Sequence, residues 1–147
     1  FMKEALVTFC AAYIDDKIQA QQKLIDQAKS ALYAEGKSSA GDKHETGRAM
    51  AQLEMEKAGV QYQELLKLKE VVNRLGKGQG RSGQIGLDTL VETDKGFFYL
   101  AISIGPVTIE DNTVVVISPQ SPLGAGFIGK NIGEINSFNQ AKILRFH

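Results

Sequence analysis

The chain has 147 residues, of which 43% are hydrophobic and 23% are charged, a composition typical of folded rather than disordered proteins. Its 17 Lys and Arg residues balance 17 Asp and Glu residues, which excludes the strongly basic surface that drives nonspecific nucleic-acid binding. No apolar run reaches the roughly 20 residues of a membrane span, no signal peptide is recognisable, and one cysteine excludes an internal disulfide. We therefore expect a cytoplasmic monomer without membrane association.

The first quarter of the chain predicts a long helix, because residues 3–35 contain neither Gly nor Pro. Apolar residues recur there at alternating intervals of four and three, which is the heptad seam of a coiled coil. The seam is apolar except at Gln21. The members of the seam are Val7, Ala11, Ile14, Ile18, Gln21, Ile25, Ala28 and Leu32.

A turn is predicted from Gly36 to Gly41, and a second helix over about 43–75. Two helices of about 33 residues joined by a short turn must run antiparallel, and at 1.5 Å per residue they extend roughly 50 Å. The sequence thus predicts an antiparallel α-helical coiled-coil hairpin over 1–75, with residues 41–45 at its tip.

The remainder of the chain predicts a small sheet. Four glycines within 76–84 indicate a flexible linker, and 85–147 is rich in β-branched and aromatic residues. Ser121 suits a helix N-cap and Pro122 the first helical position, which predicts a short helix over Leu123–Ile128. We expect an α+β protein whose second domain is an antiparallel sheet. The predicted strands are Ile85–Thr93, Gly96–Ser103, Val107–Ile109, Thr113–Ser118 and Lys142–Phe146. Hairpin turns are predicted at Asp94-Lys95-Gly96 and at Glu110-Asp111-Asn112.

Two carboxylates at the predicted tip are the main candidates for function. Asp42 and Glu45 are spaced as in a capping box, in which the first caps the helix and the second reaches back. The same pair could also deliver oxygen ligands to a magnesium ion, which is often held by one or two carboxylates with water or phosphate completing the shell. The two interpretations are compatible, since a capped helix start would fix the direction of both side chains.

Other chemistries are disfavoured. One cysteine and two histidines in different halves make no zinc pattern, and we interpret Cys10 as a small core residue. Gly124 with Gly129-Lys130 partly matches a P-loop, but Asn131 stands where Ser or Thr is required. No Cys/His or Ser/His/Asp set can be assembled.

Two segments resemble the bacterial Gre transcription elongation factors, which stimulate transcript cleavage by RNA polymerase. Gly41-Asp42-Lys43-His44-Glu45 is similar to the tip pattern Gly-Asp-Leu-x-Glu of that family. The second, more specific segment lies in 118–130 and is similar to the family's Ser-Pro-Ile/Leu-Gly/Ala-x-x-Leu-Ile/Leu-Gly-Lys signature. Its matching residues are Ser121, Pro122, Leu123, Gly124, Ile128, Gly129 and Lys130.

The resemblance covers nearly the whole chain and implies a mechanism. The second domain would be FKBP-like and would dock on RNA polymerase through the residues of the second segment, and the coiled coil would enter the secondary channel. Asp42 and Glu45 would share a Mg²⁺ with the polymerase, which then hydrolyses its own backtracked transcript. The protein would thus be no enzyme, would hold no cofactor alone, would meet the RNA 3′ end only indirectly, and would not bind specific DNA sequences.

Departures from the family pattern leave alternatives open. After Glu45 the family's Asn-Ala-Glu-Tyr is replaced by 46–49, where Arg48 stands for an acid and Ala49 for an aromatic residue. This favours a second interpretation, a regulator that occupies the secondary channel without stimulating cleavage. A third interpretation is an FKBP-like prolyl isomerase or chaperone module, which needs an aromatic pocket.

Overall fold

The computed structural model of the protein describes residues 2–37, 41–77 and 83–147, with the side chains of 35–37 and 41–44 not described. Two long helices come first, α1 Met2–Lys37 and α2 Gly41–Asn73. They are followed by five strands and a short helix, which confirms the predicted α+β class. These elements are β1 Leu90–Thr93, β2 Gly96–Leu100, β3 Gly105–Ile109, β4 Asn112–Ile117, α3 Pro122–Ala125 and β5 Ile143–Phe146.

The chain divides into two compact units. Tyr13–Lys69 forms the helix unit, and Phe1–Ala12 together with Glu70–His147 forms the sheet unit. Both boundaries therefore fall inside the long helices rather than at the glycine-rich segment, of which 78–82 lies outside the described residues. Over the described part of the chain, neither long helix carries a stretch apolar enough to cross a lipid bilayer.

In the helix unit, α1 and α2 contact each other through polar and apolar side chains. Asp15 forms an ion pair with Lys69, with the carboxylate Oδ1 and the ammonium Nζ 2.8 Å apart. Gln21 donates from its amide Nε2 to the carbonyl oxygen of Ala58 at 2.9 Å. Ile14 and Ile18 are buried, as the seam predicted for α1 requires, and Ala58 of α2 is buried as well.

The sheet is mixed, so the predicted antiparallel sheet was wrong in one pairing. Its strand order is β3-β4-β2-β1-β5, and the central strands β2 and β4 run parallel, with Phe98 opposite Val115. The other pairs are antiparallel. The chain leaves β2, forms β3 at the sheet edge and returns as β4 in the gap between them. Since β3 runs opposite to both β2 and β4, these two strands share a direction, and the place of β4 next to β2 makes them a parallel pair.

The first predicted strand begins five residues later than expected. A turn occupies 86–89, closed by the N–H of Thr89 donating to the carbonyl of Gly86 at 3.2 Å. Within it Asp88 has a φ of 72°, which no strand residue adopts. Two predicted hairpin turns are confirmed. Glu110 and Asp111 both have positive φ angles, as a two-residue type I′ turn demands, and Thr93 pairs with Gly96 across the other turn.

Side chains from both faces of the sheet are buried. On one face, Phe98 and Leu100 of β2 join Ile117 of β4 and Phe127, which follows α3, in one apolar cluster. The rings of Phe98 and Phe127 lie 5.2 Å apart, centroid to centroid, and are tilted. The alternating residues Tyr99, Val114 and Val116 are fully buried on the other face. The helix ends of the same unit supply the buried side chains Leu6, Cys10, Val72 and Leu75.

One carboxylate links three parts of the sheet unit. Asp88 is nearly buried, and its Oδ1 accepts a hydrogen bond of 2.5 Å from the hydroxyl of Tyr99 on β2. Its Oδ2 accepts one of 3.0 Å from the backbone N–H of Gly76, just after α2. The ammonium of Lys3 on α1 lies 3.9 Å from the same oxygen. Both oxygens are thus paired, as a buried carboxylate requires.

The same cluster predicts loss of stability at alkaline pH. Burial, with the charge of Asp88, raises the pKa of the Cys10 thiol from 9.0 to about 11. Burial and the hydrogen bond to Asp88 raise the pKa of Tyr99 above its usual value of 10.0. Since both folded-state pKa values exceed the unfolded ones, Cys10 and Tyr99 keep their protons to a higher pH in the folded protein than in the unfolded chain. The free energy of unfolding should therefore be constant up to about pH 9 and then fall, by about 1.4 kcal/mol per pH unit for each group.

Urea denaturation between pH 7 and 11 measures this fall. In Cys10→Ala only the tyrosine remains, so the fall should begin about one pH unit higher than in the wild type. Identical curves for the two proteins between pH 9 and 10 would contradict the assignment.

Candidate functional site

The predicted tip acids lie at the start of α2. The helix begins at Gly41, so Asp42 falls within its first turn rather than outside it as an N-cap. The side chain of Asp42 lies outside the described residues, whereas Glu45 is described and exposed. On the preceding side α1 continues to Lys37, so Gly36 belongs to the helix and not to the predicted turn. Both acids are therefore carried on helical backbone, near the helix N-terminus where carboxylates are favoured.

The residues that follow Glu45 differ in exposure. Arg48 and Ala49 are exposed, and Gly47 is half-buried. Gly47 lines a groove of about 510 Å³ between α1 and α2, within the helix unit. Small residues make up nearly half of its lining, among them Ala28 and Ala31 of α1 and Ala51 of α2. Two large apolar side chains at its border, Leu24 and Met50, are exposed to 50% and 63%.

The second predicted segment is built around a well-defined helix start. Ser121 is the N-cap of α3 and its hydroxyl accepts a hydrogen bond from the N–H of Gly124 at 3.1 Å. The same hydroxyl donates to the carbonyl of Ser118 at 2.7 Å. Pro122 occupies the first helical position. The predicted capping is confirmed, although α3 ends at Ala125 and is shorter than predicted.

Close packing explains two glycines of this segment. A Cβ at Gly124 would overlap the carbonyl of Ser118, and a Cβ at Gly126 would overlap the side-chain amide of Asn136. Asn136 is fully buried and donates from Nδ2 to the carbonyl of Leu123 at 2.9 Å. Its Oδ1 accepts from the N–H of Phe138 at 2.8 Å. Thus Gly124, predicted to bind the polymerase, has a packing role inside the sheet unit.

Other residues of the segment face outward. Pro122, Ile128 and Gly129 are exposed, and Leu123 and Lys130 are half-buried. Large apolar side chains are also exposed in the chain that follows. They are Ile132, Ile135, Phe138 and Leu144.

A metal site complete in this chain is not found among the described residues, in which no three His, Cys, Asp or Glu side chains cluster. Two carboxylates near one helix start match the hard oxygen ligands that Mg²⁺ prefers, and their number fits a site that a partner completes. The acids fall in the helix unit and the signature in the sheet unit, so the two predicted sets occupy separate parts of the fold.

Two further predictions concern the core. Cys10 is completely buried, which confirms it as a core residue. The aromatic side chains of Phe98, Tyr99 and Phe127 are also buried, so they do not line an open site. This removes three of the aromatic residues that a prolyl isomerase pocket would need.

Sequence analysis missed the partners of three buried polar residues, Gln21, Asp88 and Asn136. Gln21 was visible as the polar member of an apolar seam, but its partners on α2 were not. Asp88 lies within Ile85–Thr93, the first predicted strand, and only its positive φ in the structure identifies it as a turn residue. Nothing in the sequence around Asn136 marks it as buried.

Comparison with models of known protein families found no match to this chain. Comparison with curated protein sequences likewise found no match.

The packing around α3 predicts a large effect of a small substitution. Gly124→Ala should lower the free energy of unfolding by about 1–3 kcal/mol, because the added methyl overlaps backbone rather than a flexible side chain. Gly59→Ala in α2 is the matched control, since its Cβ would meet nothing within 4 Å and should stabilise the helix by about 1 kcal/mol. Urea denaturation of both variants tests this, and equal effects would contradict the steric argument.

Proposed function

We propose that this protein is a Gre-like transcription elongation factor that binds RNA polymerase, inserts its paired helices into the secondary channel and stimulates cleavage of backtracked RNA. The protein supplies carboxylates and the polymerase performs the hydrolysis, so the factor acts as an accessory protein rather than an enzyme. The observation that carries the proposal is the position of Asp42 and Glu45 on the first turns of α2, immediately after the end of α1.

The paired helices are proposed to form an antiparallel coiled-coil hairpin. Asp15, in the first half of α1, forms an ion pair with Lys69, near the end of α2. A later residue of α1, Gln21, contacts an earlier one of α2, Ala58. This order of contacts is expected of helices that run in opposite directions around a short turn.

The carboxylates suit a metal role that needs a partner. Asp42 and Glu45 would hold one face of a Mg²⁺ whose remaining ligands come from the polymerase and from water. That ion would lower the pKa of a bound water and stabilise the charge that develops on the scissile phosphate. Their helical backbone fixes the spacing of the two side chains, and exposure of Glu45 leaves its oxygens accessible to a ligand.

The sheet unit is proposed to be the FKBP-like docking domain. Its five strands and one short helix are compatible with that fold. Hydrogen bonds from Ser121 and Asn136 to backbone carbonyls anchor the helix start that precedes Ile128 and Lys130. Exposed apolar side chains between 132 and 144 add to the area available for polymerase contact.

Neutralising the tip acids should abolish stimulation without unfolding the protein. In Asp42→Asn and Glu45→Gln the side chains keep their size but lose their charge, so a shared metal would be bound far less tightly. Cleavage of the transcript in purified backtracked complexes should fall to the level without factor, while the melting temperature changes by only a few degrees. Glu54→Gln, an exposed acid farther along α2, is the control and should retain stimulation. Full activity of both tip variants would refute the metal role.

A second candidate function is occupation of the channel without cleavage, favoured by the exposed Arg48 next to the acids. A cation there competes for the carboxylates and repels Mg²⁺. If the wild-type protein stimulates cleavage weakly, Arg48→Glu combined with Ala49→Tyr should raise the rate in the same assay. Arg74→Glu, distant from the acids in sequence, should not change it. No gain from the paired substitution would count against this second candidate.

A further inference from the structure

A regular stripe of exposed side chains runs along α2. It contains four large apolar side chains, which are 39% to 64% exposed, and two exposed charged ones. They recur every three or four residues over about five helical turns, so all six lie on one face of the helix. This regular spacing distinguishes them from single apolar residues scattered over a surface. The members of this α2 stripe are Met50, Leu53, Lys57, Val60, Glu64 and Leu68.

The α2 stripe lies on a different side of the helix from the contact with α1. The residues of α2 that form hydrogen bonds or an ion pair with α1 are Ala58, Gln61, Tyr62 and Lys69. Their mean direction is about a third of a turn away from that of the stripe. The side of a paired helix that faces away from its partner is normally polar. A second apolar face is typical of a helix that packs on two sides.

The α2 stripe is complementary to itself when two copies run antiparallel. We consider a two-fold axis that passes between residues 60 and 61. Leu53 of one copy then faces Leu68 of the other, and Lys57 faces Glu64. Symmetry repeats both pairs, and the two Val60 side chains meet at the axis. The arrangement thus joins apolar side chains to apolar ones and lysines to glutamates, all from residues that are exposed in the single chain.

Other pairings of the stripe with itself bring like charges together. A parallel pair places each Lys57 against the other Lys57 and each Glu64 against the other Glu64. An antiparallel pair that slides by one heptad does the same to Lys57 in one direction and to Glu64 in the other. A slide of four residues places a charge against Leu53 or Leu68. Because like charges that face each other across an interface are destabilising, charge complementarity favours the arrangement with its axis at Val60.

The charged members of the stripe are available for such contacts. Glu64 lies 3.3 Å from the ammonium of Lys67, three residues later on the same helix. Both side chains of this pair are mostly exposed, so the pair contributes little and competes weakly with a new partner. Lys57 is exposed as well.

We propose that the α2 stripe is an interface between two copies of this chain, which pair antiparallel about a two-fold axis at Val60. The contact area is limited to one face of one helix, so the dimer is weak, with a Kd between about 1 µM and 1 mM. This interface goes beyond the proposed function and does not depend on it. It replaces the monomer that we expected from the sequence.

Sedimentation equilibrium of the full chain measures the dimer. Between about 1 µM and 1 mM the wild-type protein should pass from monomer to dimer. Lys57→Glu should weaken the dimer about tenfold or more, and so should Glu64→Lys, since each change turns two attractive pairs into two repulsive ones. Lys23→Glu makes the same change of charge at an exposed position of α1, and it should leave the equilibrium unchanged.

A mixture of the two variants separates this interface from a general effect of charge. When a Lys57→Glu copy meets a Glu64→Lys copy, both facing pairs again carry opposite charges. The mixture should therefore form a mixed dimer about as tightly as the wild type, although each variant alone stays monomeric at the same concentration. A mixture that associates no better than its components would overturn the proposal.

Oxidative cross-linking tests the position of the axis. Val60→Cys should form a disulfide-linked dimer, because the axis brings the two thiols together. Gln63→Cys is the matched control, since Gln63 is exposed on α2 but lies outside the stripe. Cys10 is buried and the pKa of its thiol is raised to about 11, so it stays reduced in both variants.

The outcomes leave no variant undecided. Melting temperatures should change little, because all the substituted positions are exposed. If a charge variant fails to fold, the cross-link at Val60 decides. Equal cross-linking of Val60→Cys and Gln63→Cys would contradict the arrangement. If the stripe binds a different protein instead, the wild-type chain stays monomeric at about 1 mM, and this result would also overturn the proposal.

Discussion

The carboxylate of Asp88 is the contact on which the sheet unit depends. It accepts hydrogen bonds from the hydroxyl of Tyr99 on β2 and from the backbone N–H of Gly76, just after α2. The ammonium of Lys3 on α1 forms an ion pair with it. A buried charge is costly unless such partners surround it, so the parts must meet in one arrangement to satisfy it. The positive φ of Asp88 directs this carboxylate inward, and its own N–H bonds to the carbonyl of Leu100 at 2.7 Å. The helix ends are thereby tied to the sheet.

The helix unit uses the same principle in a milder form. Gln21 is a neutral polar group within an apolar seam, and its amide donates to the carbonyl of Ala58 and to the side chain of Gln61. In both units the buried polar groups are paired, and the apolar residues around them provide most of the stability. This division suits the proposed function. A docking domain must hold one surface, and a pair of carboxylates must be presented at one place.

The signature around α3 shows how packing and binding roles share one segment. Ser121 and Gly124 are explained by capping and by lack of space for a side chain, so neither needs a partner protein to account for it. Ile128 is different, because it is a large apolar side chain that remains 43% exposed. The resemblance to Gre factors treats these residues as one motif. In the structure, Ser121 and Gly124 fix the local backbone, whereas the side chain of Ile128 is accessible for contact.

Local rules of the sequence determined the long helices, the two hairpin turns, the capped start of α3 and the core position of Cys10. Each depends on neighbours a few residues away, or on burial of an apolar group, and these leave clear patterns. The parallel pairing of β2 with β4, the turn at Asp88 and the burial of Asn136 were decided only in the tertiary structure. They depend on which distant segments meet, and a strand's sequence is the same whichever direction its neighbour takes.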